Sequence, residues 1–292
     1  MKVVDHHTEL NLRHAVVTSG TFDGVHYGHK KILQHVVDTA RQMNGESVVV
    51  TYWPHPRFVL GKDADSLKLL STFEEKIRLV EEVGIDYLVR VHFTREFSEL
   101  SSDEFIQSVL IDRLNTQKLI IGYDHRFGKD QEGSFEYLNE HQEHFGFRVM
   151  EIPAQDIDDV TVSSTRIRNA LSAGDVTTAN EYLGRPYELT GLVTKGEQVG
   201  RKIGYPTANI YVPETYKLIP GDGVYAVWVY VNQSKYKGML NIGNRPTLHG
   251  QHRTIEVHIF DFDWDIYGTE IGVNFVSQLR KEQRFDDLDG LK

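Results

Sequence analysis

Apolar residues follow two rhythms along this 292-residue chain. In the first part, short apolar runs alternate with stretches of helical period. Ala15-Val16-Val17-Thr18 reads as a short buried strand. Ile32, Leu33, Val36, Val37, Ala40 and Met43 then recur at helical spacing, with Gly45 as the stop. Ser47–Tyr52 (SVVVTY) is the next strand. Thr72-Phe73-Glu74-Glu75 has capping-box spacing ahead of Ile77, Val80 and Val83, and Ser101–Glu104 repeats it ahead of Phe105, Val109, Leu110 and Leu114. Tyr87–Val91, Leu119-Ile120-Ile121 and Phe147–Ile152 are further strands. Apolar strands separated by helices predict the α/β class, with a doubly wound parallel sheet.

The rhythm changes near Leu183-Gly184-Arg185-Pro186. Beyond it the helical period gives way to short β-rich runs, Leu189–Val193, Val224–Val231, Met239–Ile242, Thr254–Phe260 and Ile271–Val276, between Gly, Pro and Asn punctuation. That pattern predicts a small antiparallel barrel or sandwich. Two domains follow, residues 1–184 and 185–292, joined by a short linker at about 183–188.

Composition narrows the function. No apolar run approaches the ~20 residues of a membrane span, and the first residues lack the apolar core of a secretory signal. The absence of cysteine excludes disulfides, thiolate nucleophiles and Cys-ligated zinc, and fits a cytoplasmic protein. A net charge of -10 disfavours nucleic acid as a partner but leaves room for a local phosphate pocket. The sequence carries no signal for an oligomeric state.

Between the first strand and first helix stands Gly20-Thr21-Phe22-Asp23-Gly24-Val25-His26-Tyr27-Gly28-His29. In an open α/β sheet such a turn is where ligands bind. A helix N-terminus attracts phosphate, Gly24 and Gly28 permit close backbone approach, and two histidines add donors that follow the charge developing at a pentacoordinate phosphorus. An isolated H-x-x-H is more often an exposed turn; here the glycines and the flanking strand and helix favour the phosphate site. Ser163-Ser164-Thr165-Arg166-Ile167-Arg168 opens another helix. Its plain reading is an N-cap at Ser163 or Ser164, yet Ser164 and Arg168, one turn apart, can together hold phosphates. Pro54-His55-Pro56 and Gly122-Tyr123-Asp124-His125-Arg126-Phe127-Gly128 each follow a predicted strand and open on the same sheet edge, as rigid walls for a flat heterocycle.

Together these motifs resemble the adenylyltransferase half of prokaryotic bifunctional FAD synthetases (riboflavin kinase/FMN adenylyltransferases), whose histidine turn belongs to the wider nucleotidylyltransferase superfamily. The resemblance implies transfer of AMP from ATP to FMN with release of pyrophosphate. It implies that His26 and His29 are catalytic and that Gly20, Phe22, Asp23, Gly24, Ser164, Thr165 and Arg168 join them in binding ATP. It places Pro54, Pro56 and Asp124 at the FMN site, and leads one to expect an aromatic residue where this chain has His125.

In the second part, Gly196, Gly200 and Gly204 recur at intervals of four around Lys195, Arg201 and Lys202. This is not a Walker A loop, but it suits a glycine-rich flap over phosphates. Thr207 and Asn209 of Pro206-Thr207-Ala208-Asn209 supply hard oxygen ligands for Mg²⁺, although P-T-A-N alone reads as a turn. In Thr254–Asp261, Glu256 and His258 share one strand face; a glutamate in a barrel mouth is a candidate general base, although a lone one usually faces solvent. These runs, with Asn241–Thr247, resemble the riboflavin kinase domain. That resemblance implies a compact β-barrel phosphorylating riboflavin with MgATP. It makes Glu256 the catalytic base, has Thr207 and Asn209 bind Mg²⁺ and phosphates, places Lys202 and Gly196, Gly200 and Gly204 in the ATP loop, and puts Arg280 on the flavin side. The family continues with a C-terminal helix where this sequence reaches Lys292.

Three other functions fit the sequence less well. A nucleotidylyltransferase for another phosphorylated alcohol is disfavoured by a second domain that would supply FMN. A non-catalytic flavin-binding protein is disfavoured by the intact Glu256 and P-T-A-N. An RNA-binding synthetase fragment is disfavoured by the acidic balance.

Overall fold

The computed structural model describes residues 1–61, 66–123, 125–129, 132–153, 162–196, 205–247 and 250–283, without the side chains of 245–247 and 250–252. The chain divides into two compact units, Met1–Ser163 and Ser164–Lys292.

The strands of the first unit are β1 (Lys2–Asp5), β2 (Ala15–Ser19), β3 (Ser47–Trp53), β4 (Tyr87–His92), β5 (Thr116–Gly122) and β6 (Arg148–Ile152). Among the described residues they form one sheet in the order β1-β4-β3-β2-β5-β6, with every pairing parallel. The helices are α1 (Tyr27–Gln42), α2 (Pro56–Leu60), α3 (Phe73–Val83), α4 (Arg95–Ser98), α5 (Ser102–Phe105) and α6 (Phe135–Phe145), and α5 runs into a π-helical turn, Ile106–Ile111.

Alternate residues of the strands enter two different cores. Val17, Val48, Val50 and Ile121 pack with Phe105, Leu110 and Phe147, whereas Val16, Val49, Leu88 and Ile120 pack with Leu33, Val36, Leu79 and Val80. Both sheet faces are therefore dry, which is why these strands read as unbroken apolar runs. Both predicted capping boxes form, at Thr72 with Glu75 and at Ser101 with Glu104. The strand order reverses at β2: β3 and β4 lie on one side, β5 and β6 on the other. Loops leaving the carboxyl ends of β2 and β5 must diverge there, and the divergence opens a crevice.

The second unit begins with α7 (Ser164–Ser172) and α8 (Val176–Leu183). Strands β7 (Glu188–Thr194), β8 (Ala208–Tyr211), β9 (Gly223–Val231), β10 (Ser234–Thr247), β11 (Gly250–Ile259) and β12 (Glu270–Arg280) follow. Among the described residues they close an antiparallel barrel in the order β10-β11-β8-β7-β12-β9. Closure leaves no edge strand among the described residues of the barrel. On β9, Tyr225, Val227, Val229 and Val231 are buried, the alternation of a half-buried strand.

Two features depart from the local sequence signal. The P-T-A-N stretch leads into a strand rather than ending in a turn: Ala208 and Asn209 begin β8 and pair with Val257 and Glu256 of β11. Helices α7 and α8 group with the barrel, not with the parallel sheet. Asn180 explains part of this, since its amide donates to the Phe275 carbonyl (2.9 Å) and accepts from the Tyr187 N–H (2.6 Å). No helix among the described residues is long and apolar enough to cross a membrane. Asp124, Gly200, Lys202, Gly204 and the tail 284–292 lie outside the described residues.

Candidate active sites

The histidine turn occupies the crevice beside β2. Phe22, Gly24 and Val25 all have positive φ (46°, 78° and 39°), a costly conformation for a β-branched residue such as Val25. A side chain at Gly24 would also strike Leu70 at 2.8 Å. The buried Asp23 carboxylate locks the turn by accepting the N–H groups of Leu70 (2.9 Å) and Ser71 (3.2 Å). Asp23 thus ties the turn to the chain entering α3.

His26 caps α1, its Nδ1 accepting the His29 N–H at 3.4 Å. An accepting Nδ1 leaves the proton of a neutral imidazole on Nε2. The rings of His26 and His29 stack at 3.6 Å, and the Phe22 ring meets His29 edge-on at 5.3 Å. Burial is the main force pushing His29 well below the usual imidazole range; the nearby His26 and Lys76 push the same way. His29 Nδ1 is buried with no hydrogen-bond partner among the described residues.

A cavity of about 710 Å³ opens beside this pair. Its lining includes Gly20, Phe22, His29, Pro56, His125 and Phe127. The sheet edge thus brings together residues from three of the predicted motifs. Pro56 opens α2 behind His55, whose side chain caps that helix, and Pro54 precedes them after a cis peptide bond. The His125 ring lies 5.8 Å from that of Phe127, and burial, helped by Arg126, holds its pKa down to about 4. Other lining residues, among them Ser19, Tyr52 and Phe93, belong to none of those motifs. Ser19 and Tyr52 share a 2.7 Å hydrogen bond, with burial pushing the Tyr52 hydroxyl up to about 12, and Phe93 stands edge-on to Tyr52. Each follows or ends a strand at the carboxyl edge, and that position was the available signal.

Ser164 and Arg168 stand four residues apart on α7 and project on one side of it, with the exposed Thr165 beside them.

In the barrel, Glu256 is buried on β11 opposite Asn209 of β8, so the two side chains share a face. The Thr207 hydroxyl donates to Glu256 Oε2 at 3.3 Å. Gly196 lies directly on the Asn209 amide, since a side chain there would come within 2.1 Å of its nitrogen. His258, on the same strand face, donates from Nδ1 to the Pro206 carbonyl at 2.7 Å. Thr207 also lines a cavity of about 380 Å³ with Val193, Ile259, Phe262, Asp263 and Trp264. Among the described residues no group of three His, Asp or Glu stands together. The donors here are instead single hard oxygens, from Thr207 and Asn209 beside the Glu256 carboxylate, and oxygens of this kind suit Mg²⁺ shared with phosphates. Arg280 is exposed at the end of β12.

The FAD synthetase family model matches residues 8–166, and the riboflavin kinase family model matches residues 183–292. The bifunctional riboflavin kinase/FMN adenylyltransferase of Haemophilus influenzae is 36% identical over 289 residues, covering 98% of this chain and 92% of its own. Those of Escherichia coli K12 and Bacillus subtilis are 37% and 36% identical, each over 95% of this chain and 88% of theirs. Among solved structures, one titled macrolide-efflux protein from Streptococcus pneumoniae superposes with a TM-score of 0.90 at 31% identity, over 99% of this chain and 94% of that one.

Proposed function

The chain belongs to the bifunctional riboflavin kinase/FMN adenylyltransferase family, and on that premise we propose which of its residues carry each reaction. It is an ATP-dependent transferase that phosphorylates riboflavin to FMN and adenylylates FMN to FAD, releasing pyrophosphate. Its substrates are the small molecules riboflavin, FMN and ATP.

We assign phosphoryl transfer to the barrel. Glu256 is the general base: its carboxylate takes the proton of the attacking riboflavin hydroxyl, whose oxygen then bonds to the γ-phosphorus of ATP as ADP leaves. The observation that carries this is the Thr207–Glu256 hydrogen bond, which joins the base to the residue lining the adjoining cavity. Mg²⁺, when bound, neutralises charge on the ATP phosphates. Thr207 and Asn209 supply the oxygens that hold it, with Gly196 packed against Asn209. We assign ATP phosphate binding also to Gly200, Lys202 and Gly204, and flavin binding to Arg280. The apolar and aromatic walls of the 380 Å³ cavity suit an adenine ring, with Asp263 and Asp265 as acceptors for its amino group.

We assign adenylyl transfer to the histidine turn. An FMN phosphate oxygen attacks the α-phosphorus of ATP and pyrophosphate leaves. His26 and His29, with the N–H groups opening α1, stabilise the charge that grows at the phosphorus. FMN lies in the 710 Å³ cavity, which Pro56 and His125 line; Pro54 and Asp124 are its other FMN-binding residues. Gly20, Phe22 and Gly24 shape the ATP side of the turn, Asp23 holds its backbone, and Ser164, Thr165 and Arg168 bind phosphates. A cytoplasmic location suits a cysteine-free biosynthetic enzyme.

The test is chromatography of flavins after incubation with riboflavin, ATP and Mg²⁺, on wild type, E256A and H29A. Wild type makes FMN and then FAD. E256A converts only supplied FMN to FAD, and H29A stops at FMN. A folded E256A that still phosphorylates riboflavin at the wild-type rate would overturn the assignment of the base.

A further inference from the structure

Lys76 lies on α3 at 2% exposure, buried beneath the histidine turn. A lysine is almost never fully buried without a partner that justifies it. Its ammonium has three protons to donate, and among the described residues its hydrogen-bond acceptor is the Thr51 hydroxyl at 3.4 Å. Thr51, fully buried on β3, donates in turn to the backbone carbonyl of Thr21 at 3.4 Å. That carbonyl lies between Gly20 and Phe22, where the turn enters its positive-φ stretch. The ammonium also lies 5.9 Å from the Trp53 ring and 5.8 Å from the Phe73 ring, two rings that pack together at 5.3 Å. The charged or titratable groups facing it are Asp23 from the turn and His29, beside His26, from α1; Arg90 of β4 lies over the Phe73 ring.

This arrangement costs stability. Burial pulls the ammonium down from 10.5 to about 8, and the Asp23 charge opposes that shift without cancelling it. A methionine would fill much the same volume without the penalty. The cation is therefore held next to the turn at a stability cost that packing alone does not explain.

We propose that Lys76 is a positioning residue for adenylyl transfer: through Thr51 it fixes the backbone of the histidine turn, and its buried charge adds to the field that draws the ATP phosphates to that turn. The inference rests on placing adenylyl transfer at His26 and His29. A charge in a low-dielectric interior acts over distances at which a surface lysine would be screened. It reinforces the N-terminus of α1 from behind the turn. It also disfavours protonation of His29, which keeps the imidazole neutral before substrate arrives.

The experiment measures FMN-to-FAD conversion across pH in the full-length enzyme for wild type, K76M, T51V and T51S, with riboflavin phosphorylation as an internal reference. K76M is expected to raise the KM for ATP about tenfold at pH 7, as the loss of one charged contact does. In wild type kcat/KM falls as pH rises through about 8, when the ammonium loses its proton; in K76M that fall is absent. The acidic limb from His29 moves to higher pH in K76M, because a neighbouring cation is gone. T51V raises the KM for ATP while keeping the alkaline fall, and T51S, which retains the hydroxyl, stays near wild type. A folded K76M with the wild-type KM and the wild-type alkaline limb would overturn the proposal. Should K76M not fold, equal KM values in T51V and T51S would overturn it instead. H29A is run in parallel. FAD formation that survives H29A refutes the site, whereas loss in H29A with no change in K76M refutes only the role of Lys76.

Discussion

The imidazoles of His26 and His29 stack at 3.6 Å, with 18° between their planes, while the same His26 accepts the His29 N–H that opens α1. One side chain therefore caps a helix and, on the proposed assignment, also contacts a substrate phosphate. The two roles are separable by substitution. H29A removes a transition-state contact and leaves the cap, so FAD formation falls by about two orders of magnitude or more while FMN formation persists. H26A also loses about 1 kcal/mol of helix stability, which H26N, a good N-cap, restores without restoring catalysis. Flavin chromatography and thermal melts of the three variants check this.

The barrel base gives a sharper contrast. Glu256 and its partner Thr207 differ in what they lose. E256Q keeps size and hydrogen bonding but is no base, so kcat for riboflavin phosphorylation collapses while flavin binding holds. T207V removes a hydroxyl that donates to the carboxylate and, on the proposed assignment, offers an oxygen to Mg²⁺. It raises both the KM for MgATP and the Mg²⁺ concentration needed for half-maximal rate. Initial rates at varied Mg²⁺ distinguish the two; identical Mg²⁺ dependence in T207V and wild type would remove Thr207 from the metal site.

Gly196 and Asn209 test the same proposed site a second way. Alanine at 196 would place a carbon 2.1 Å from the Asn209 amide nitrogen, so the amide must turn away from Glu256's strand face. G196A therefore weakens MgATP binding in the kinase reaction by roughly tenfold, the size of one misplaced polar contact. FAD synthesis from supplied FMN is unchanged. Steady-state KM values for both reactions read this out.

Much of this was legible in the chain. The apolar runs of β2, β3 and β5, the capping boxes at Thr72 and Ser101, and the histidine turn all carry local signals, and each forms as read. What was not legible depends on distant partners. β1 is a four-residue strand on the sheet edge, paired to β4 more than eighty residues away. β8 starts inside P-T-A-N, whose proline and asparagine punctuate like a turn; β11 and β7 hold it as a strand. α7 and α8 look like a continuation of the α/β pattern, and only packing such as Asn180 on Phe275 assigns them to the barrel. Lys76 did leave a trace: it falls three residues after Phe73 and four before Val80, on the apolar stripe of α3, where a charge is out of place.

His125 sets an acid limit on stability. Its folded pKa of about 4 lies below the 6.5 of an unfolded histidine, burial being the larger cause and Arg126 the smaller. Between those values the unfolded chain binds a proton that the folded chain does not. Stability is therefore complete above about 6.5 and falls as pH drops toward 4, by at most about 3 kcal/mol. H125F removes that slope and offers an apolar face to the flavin. Urea unfolding at pH 7 and pH 5 should show a smaller difference in H125F than in wild type.

Lys76 reverses the usual relation between function and stability. Its folded pKa of about 8 lies below its unfolded 10.5, so the folded chain carries a buried charge at pH 7 that the unfolded chain carries in water. The unfolded state binds more protons between 8 and 10.5, and stability rises with pH across that window. K76M, with no proton to lose, gains about 3 kcal/mol over wild type at pH 7, and that advantage shrinks to little by pH 10.5. Hydrogen exchange at the amides of α3, followed at pH 7 and again near pH 10, measures it locally in the first unit. A K76M protein that is more stable at pH 7 yet binds ATP more weakly is the signature of a charge kept for its effect on substrate. If K76M instead proved less stable at pH 7, with the deficit unchanged at pH 10, Lys76 would be a packing residue whose charge the fold does not resist.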